Sequence, residues 1–343
     1  MSGKLSKNQA RKAGELLARC ADPFGEDALP ARQVVDEWRE AHKEIFLAVP
    51  ETLKDVSYAI DPKAVVVSRL KRMDTIVGKL RRPGLNMKLN EMCDIVGCRV
   101  IASNIETVRQ ISAEVEHRLD VKRKAGVKDY ILHPKSNGYR STHVITRHDA
   151  PEAGLSNLSC ETQVRTRLQH AWATALETYD VIAKSGLKFD SGTGKEARLF
   201  ALISNAFAIK EKSPLVPETP MSIDELRKEI VSLNNDLFVI EKLRACSDSV
   251  TFVPQKKCCS GDALCLMVID YEVQKTDLFV YDTVDEVEAN QMYAKREKMK
   301  KGLQDVLLVR VASLSALSEA YPNYSTDIAY FLAEIDAFLG DGF

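Results

Sequence analysis

Residues Val127 to His143 read V-K-D-Y-I-L-H-P-K-S-N-G-Y-R-S-T-H, a concentration of groups suited to gripping a nucleotide. Lys128, Lys135 and Arg140 bring cations into a short span, enough to hold a polyphosphate, and Tyr130 and Tyr139 offer flat faces on which a base can stack. Gly138 permits positive φ or a close approach of backbone to a ligand, and Asn137 tolerates the same conformation. A solvated hairpin loop built on an Asn-Gly turn would have much the same composition. The neighbouring segments therefore decide between the two.

Two carboxylates flank this loop in sequence. Asp94 and Arg99 border the apolar run Cys98–Ala102, which reads as a buried strand, and charged groups in such a place are costly unless paired or bound to a metal. Ser159–Thr166 alternates polar and apolar residues, so Glu161, Gln163 and Arg165 share one face of a strand. Asp94 and Glu161 are expected at equivalent positions on neighbouring strands. With a basic loop between them, they suit Mg²⁺-dependent transfer of a phosphoryl-type group, in which a metal bridges phosphate oxygens and cations hold the rest. Upstream, Arg69, Lys71, Arg72, Lys79, Arg81 and Arg82 face a single acid, Asp74, over Arg69–Arg82. That run could equally be a wet helix face. There is no Walker A motif, no kinase Gly-rich loop set and no nucleophile elbow.

The elements that must position these groups follow from periodicity and breakers. Residues 1 to about 60 read as helices, with Val34, Val35, Trp38, His42 and Phe46 at helical spacing. A further helix is expected from Asp61-Pro62 to just before Pro83-Gly84. Strand Cys98–Ala102, helix Ile105–Arg118, a strand at Leu119–Lys124, strand Thr142–Thr146, strand Ser159–Thr166 and helices Leu168–Ile182 and Lys195–Lys210 come next. Three prolines in the segment from Ser213 to Pro220 mark a linker. Beyond it the sequence suggests a helix from Ser222 to Cys246, a strand pair (Leu264–Tyr271, Asp277–Asp282), a charged helix Val284–Lys301, a strand Asp305–Ala312 and two closing helices. The expected fold is α/β: a nucleotidyltransferase-like mixed sheet of about five strands flanked by helices, followed by a smaller α+β domain. The division is 1–212, a linker at 213–221, and an accessory or regulatory domain at 222–343.

With 45% apolar and 28% charged residues and a net charge of −1, the chain has the make-up of a soluble globular protein with no global field for nucleic acid or membrane. No apolar run approaches the roughly 20 residues of a membrane span, and the first residues lack a signal-peptide core. Eight scattered cysteines suit reduced thiols, which points to the cytoplasm. Cys246, Cys258, Cys259 and Cys265 match no standard zinc spacing.

In order, R-x-K-x-x-x-T-I (Arg69–Ile76), D-I-V-G-C-R (Asp94–Arg99), K-D-Y-I-x-x-P-K-x-N-G-Y-R-S-x-H (Lys128–His143) and E-T-Q-V-R-T (Glu161–Thr166) resemble the synthetase domain of RelA/SpoT proteins, and in particular the small alarmone synthetases. The resemblance covers about residues 45 to 185. It implies transfer of pyrophosphate from ATP to the ribose 3′-OH of GDP or GTP, giving (p)ppGpp and AMP. It implies further that Asp94 binds Mg²⁺, and that Glu161 shares this metal or acts as base. Arg69 and Arg99 would sandwich the adenine, and Lys71 and Lys79 would hold the ATP phosphates. Tyr139 would stack on the acceptor base, with Lys128, Lys135, Asn137, Arg140 and His143 around the acceptor and its phosphates. Gln163 and Arg165 would complete the floor.

Departures from the pattern are Thr75 for a usual Ser, Arg72 for a small residue, Ser136 for a common Pro and Thr142 for a common Leu. None removes a catalytic group. His148-Asp149, a lone pair in a polar stretch, does not make the His-Asp metal site of the long forms' hydrolase domain. Two rivals stand beside this reading. One keeps the chemistry but moves it to the 3′ end of tRNA, with Lys122, Arg123 and Lys124 meeting the backbone, or to adenine nucleotides. The other is a catalytically dead nucleotide sensor. Homo-oligomer contacts, and a ligand or partner of residues 222–343, are open.

Overall fold

The computed structural model describes residues 5–183, 194–219, 222–247, 251–254, 263–270, 275–299, 304–311 and 328–340. Helices α1 (Lys7–Arg19), α2 (Leu29–Glu40) and α3 (Lys43–Ile60) precede β1 (Val65–Leu70), α4 (Met73–Leu80), β2 (Val96–Ala102) and α5 (Ile105–Arg118). A short β3 (Val127–Asp129), long β4 (Thr142–Ala150) and β5 (Leu155–Thr166) lead into α6 (Arg167–Ala183) and α7 (Lys195–Lys210). Then come α8 (Ile223–Leu237), α9 (Val239–Ser247), β6 (Thr251–Pro254), β7 (Ala263–Asp270), β8 (Lys275–Asp282), α10 (Glu286–Met299), β9 (Gln304–Val311) and α11 (Ala329–Leu339).

All these strands join one mixed sheet of nine, in the order β3-β4-β5-β2-β1-β9-β7-β8-β6, rather than the expected five or so. The first half of the chain does supply five neighbouring strands. The sheet grows because β9 adds antiparallel to β1, satisfying the backbone groups of what would otherwise be an open edge. β2 and β5 run parallel, with Gly97 opposite Glu161 and Arg99 opposite Gln163, while β1 is antiparallel to β2 with Arg69 opposite Gly97.

Strand alternation gives the sheet two unlike faces. One carries Val66, Cys98, Val100, Cys160, Val164, Leu264, Leu266 and Leu308 into a core shared with α1 to α5 and α10. The other carries the polar residues of the candidate site, and beside them an apolar cluster of Val65, Val67 and Ile101 with Cys265, Met267, Val280, Val309 and Val311. A third cluster is helical, with Trp172, Phe200, Phe207, Leu226, Ile230, Leu243, Phe331 and Phe338 from α6, α7, α8, α9 and α11. The segment after the prolines thus shares all three of these clusters with earlier elements.

Three sequence expectations change, the simplest being that the helix expected from Ser222 to Cys246 breaks into α8 and α9 at Phe238, whose left-handed backbone (φ 54°) ends the first helix. The helix expected from Asp61 to the residue before Pro83 is instead strand β1 followed by α4. Val65-Val-Val is β-branched and packs best on a pleated surface, and pairing on both sides with β2 and β9 outweighs the helical reading of the charge run. Asp61 ends α3 instead of starting a helix, its carboxylate accepting from Lys63 N–H at 3.1 Å and Ser103 N–H at 2.8 Å. Leu119–Lys124 is not a strand either. It makes one bridge, Val121 to Thr146, before a turn through Ala125 (φ 52°), and the strand proper is β3. The strand pair around 264–282 and the strand near 305 form as read. Of the two closing helices, α11 forms and the other falls outside the described residues. Cys258 and Cys259 lie outside them as well, as does the side chain of Cys246, whereas Cys265 is buried in the sheet.

Candidate active site

The candidate side chains converge on one face of β1, β2, β5, β4 and β3, where Arg69, Arg99, Glu161, Gln163, Arg165, His143 and Lys128 stand in register. Gly97 lies between Arg69 on one side and Glu161 on the other, and a Cβ built there meets nothing within 4 Å. The floor between the arginines and the carboxylate is therefore uncovered at Gly97.

Asp94 sits in the turn before β2, offset from Glu161 instead of level with it. Both its oxygens are taken: Lys71 Nζ donates to Oδ2 at 2.9 Å and Lys79 Nζ to Oδ1 at 2.8 Å. Lys71 follows the end of β1 and Lys79 lies in the last turn of α4, so a strand, a helix and a turn meet at one carboxylate. Burial would raise the Asp94 pKa, but the two ammonium groups outweigh it and hold the carboxyl well below the usual range. Lys71 is pulled the other way: its own burial, with Arg69 and Lys79 nearby, lowers its pKa despite Asp94. Asp94 is thus the firmly ionised member of the cluster. The expectation that a charge here must be paired is met by lysines.

Glu161 accepts from Gln163 Nε2 at 3.1 Å and faces His143 Nδ1 at 3.5 Å. Burial opposes its ionisation and Asp94 repels it, yet the bonds from His143 and Gln163 leave its pKa lowered. On its other nitrogen, His143 Nε2 meets the Tyr139 hydroxyl at 2.8 Å. An ionised Glu161 only accepts, which puts the imidazole proton on Nδ1 and makes Tyr139 the donor to Nε2.

The loop from β3 into β4 is held by shape. Asp129 caps the turn after β3 by accepting from Ile131 and Leu132 N–H at 3.0 and 2.9 Å, and Arg109 pairs with its other oxygen. The Asn137 side chain accepts from Tyr139 N–H at 3.0 Å. Gly138, at φ 93°, lies so close to α6 and α7 that a Cβ would come within 2.7 Å of Ser204 and 3.1 Å of Trp172. Lys135 Nζ sits 5.1 Å from the Tyr130 ring centroid and 5.4 Å from that of Tyr139, and the two rings pack edge-on at 5.9 Å.

Arg140 is not part of this group. It is buried, donating to Ser204 Oγ at 2.9 Å, Asn205 Oδ1 at 3.2 Å and the Pro214 carbonyl at 2.5 Å, and so ties the loop to α7 and the proline segment. Arg165 is buried at the end of the same strand face and donates to His170 Nδ1 at 2.6 Å, which fixes that imidazole as neutral with its proton on Nε2. Burial, with Arg99 beside it, pushes the Arg165 pKa down to about 9, so it remains charged at neutral pH. Sequence reasoning passed over His170 and Asp129 as working parts. Asp129 was legible in hindsight as an Asx-type turn residue just before a bend.

Among the described residues no group of three or more His, Cys, Asp or Glu side chains could hold a metal by itself, and no helix is long and apolar enough to cross a membrane.

Residues 68–180 match the family model described as the region found in RelA / SpoT proteins. GTP pyrophosphokinase YwaC of Bacillus subtilis (strain 168) is 36% identical over 115 residues, covering 31% of this chain and 53% of the relative. GTP pyrophosphokinase YjbM of the same organism is 28% identical over 148 residues, covering 43% of this chain and 67% of the relative. The chain thus spans about half the length of the first and two thirds of the second. A solved GTP pyrophosphokinase family protein from Streptococcus pneumoniae is 24% identical, with a TM-score of 0.41 over 53% of this chain and 91% of that one.

Proposed function

Taking residues 68–180 as a RelA/SpoT region, we propose that this chain is a cytoplasmic pyrophosphokinase that transfers the β,γ-diphosphate of ATP to the 3′-OH of GDP or GTP. The observation that carries the reading is the clamp of Lys71 and Lys79 on Asp94 beside Glu161, on a floor left open at Gly97. Residues up to about 212 supply the reacting groups, and residues 222–343 act as support and regulator.

On this reading the adenine lies between Arg69 and Arg99, whose planar guanidiniums stack well, and Lys71 and Lys79 turn from Asp94 to the donor phosphates. Tyr139 stacks on the acceptor base, with Lys128, Lys135, Asn137 and His143 around it. The donor set fits Mg²⁺, which takes one or two carboxylates and completes its shell with phosphate oxygens and water. Asp94, with Glu161, would hold that ion, and it would supply neutralisation of charge on the phosphates.

The acceptor's 3′-oxygen attacks the β-phosphorus, the bond from that phosphorus to the α–β bridging oxygen breaks, and AMP leaves with the electron pair. The 3′-OH proton passes to Glu161. A carboxylate with a lowered pKa is a weak base. It suits orienting the hydroxyl and accepting the proton late, since phosphoryl transfer depends on positioning and charge neutralisation more than on a strong base. Arg140 belongs to the scaffold of the acceptor loop, and Gln163 and Arg165 hold Glu161 and the floor.

The test is product analysis of the purified full chain with γ-labelled ATP and Mg²⁺, offering GDP, GTP, ATP or bulk tRNA in parallel. Label in the guanosine 3′-diphosphate product supports the reading. Label confined to tRNA would move the function to a translation-blocking toxin, for which exposed Arg123 and Lys124 beside β3 provide backbone contacts. Nucleotide binding without any labelled product would make the chain a sensor.

A further inference from the structure

The donor-side lysines sit on a joint, from β1 through Lys71 into α4, and the C-terminal segment holds that joint at both ends. At one end β9 pairs with β1, setting Val309 opposite Arg69 and Arg310 opposite Ser68. Arg310 is itself anchored to α3, donating to the Leu47 carbonyl at 2.9 Å and pairing with Glu51 at 2.9 Å. At the other end α10 sends Glu297 to the first turn of α4, where Met73 N–H donates to Oε1 at 3.1 Å. A helix N-terminus carries N–H groups without intrahelical partners and the positive end of the helix dipole, so a carboxylate there is favoured.

Glu297 is held in turn. The Tyr293 hydroxyl donates to the same oxygen at 3.0 Å, and Arg39 Nη1 donates to Oε2 at 3.2 Å. Arg39 Nη2 donates to the Tyr293 oxygen at 2.7 Å, and its guanidinium lies 5.4 Å from that ring's centroid. Arg39 and Tyr293 are each only 6% exposed. Such a network is more than an exposed surface pair: losing Glu297 takes one carboxylate from the buried Arg39, which keeps Asp36 at 2.9 Å, and removes the acceptor of the Tyr293 hydroxyl. Met73 is two residues from Lys71, and α4 carries Lys79. Any slip of the α4 N-terminus therefore moves both lysines that meet at Asp94. The acceptor loop is fastened elsewhere, to α6 and α7 through Gly138 and Arg140.

We propose, resting on the reading that this site takes ATP as donor, that Glu297 is a positioning residue of the donor half. Locked by Tyr293 and Arg39, it holds the Lys71–Met73 joint in the geometry that receives the ATP phosphates. The C-terminal segment is then a working part of the ATP site.

The test titrates the full chain by calorimetry with an ATP analogue carrying a methylene in the α,β-bridge and, separately, with GDP. It compares the wild type with Glu297→Ala, Glu297→Gln, Tyr293→Phe and an exposed α10 control, Glu288→Ala. Glu297→Ala should weaken the ATP analogue about tenfold while GDP stays within about twofold. Glu297→Gln should recover part of the loss because its amide oxygen still accepts from Met73, Tyr293→Phe should fall between, and Glu288→Ala should match the wild type. Equal weakening of both ligands would mark a general loss of structure and overturn the proposal, as would an unchanged ATP affinity. A wild type that binds both ligands yet forms no transfer product when given unmodified ATP, Mg²⁺ and GDP would sink the reaction reading while the titration still decides the role of Glu297. A wild type with no affinity for the ATP analogue would overturn both.

Discussion

The two halves of the candidate site are organised by different physics. The donor half (β1, α4 and the turn before β2) is a knot of charge, in which Lys71 and Lys79 neutralise Asp94 and Glu297 caps α4 from the far end of the chain. The proposed acceptor half (the stretch from β3 into β4) is shaped by packing, with Asp129 capping a turn, Gly138 pressed against α7, Arg140 buried in its acceptors and Lys135 over the edge-on rings of Tyr130 and Tyr139. Pre-paired charges suit a ligand that arrives as a polyphosphate, since lysines can exchange one anion for another without reorganising the backbone. A packed loop suits recognition of a base by shape.

The comparison predicts unequal responses to mutation. Removing the hub of the donor half should have the largest effect. Asp94→Ala should lower turnover by on the order of 10³-fold, measured as product formed per enzyme, with circular dichroism showing a retained fold. A loss below tenfold would remove Asp94 from the chemistry. Arg140→Ala should act on stability instead, costing about 3 kcal/mol in urea denaturation because several buried acceptors lose a charged donor. If Arg140→Ala left stability unchanged and abolished acceptor binding, the scaffold role would be wrong.

The underlayer of the donor half should respond to acid. His42 is buried on α2–α3, its Nδ1 2.7 Å from the Trp38 carbonyl, and burial lowers its pKa from 6.5 to about 4 despite that bond. The unfolded chain therefore takes up the proton first. The contribution is constant above pH 6.5, falls as pH drops from there towards 4, and levels below. Between pH 7 and pH 5 the loss should be about 2 kcal/mol. His42→Gln should flatten that part of the stability curve, and a slope left intact would assign the titration to another group.

The smallest effects should be the most selective. Tyr139→Ala should raise the acceptor's KM about tenfold, as loss of one stacking face does, and leave that of ATP nearly unchanged. Arg99→Ala should do the reverse. If both variants raised both KM values together, the division of the site into halves would fail.

How much of this was legible in the sequence depended on the range of the interactions. The alternation of Glu161, Gln163 and Arg165 is a period-2 signal that survives folding, and the register with β2 and β4 places them on the face expected. Gly138 and Asn137 were readable as turn residues because the turn itself is local, although the packing of Gly138 against Ser204 and Trp172 was not. Arg140 was not, because Ser204, Asn205 and Pro214 decide where its side chain goes and they lie far along the chain. Strand β1 was hidden by its own charges, since Arg69 and Lys71 extend a helical-looking run and only pairing with β2 and the distant β9 settles the backbone. Glu297 is legible in sequence only as part of a charged helix, because the α4 N-terminus that it caps lies far back along the chain.

The central claim is that an intact diphosphate moves as a unit. Stoichiometry tests this most directly: the full chain is incubated with ATP, Mg²⁺ and GDP, and the nucleotides are separated and weighed by mass spectrometry. The account predicts AMP and a guanosine nucleotide heavier by two phosphates, formed one for one. ADP as the co-product, with a single phosphate gained by the acceptor, would contradict it.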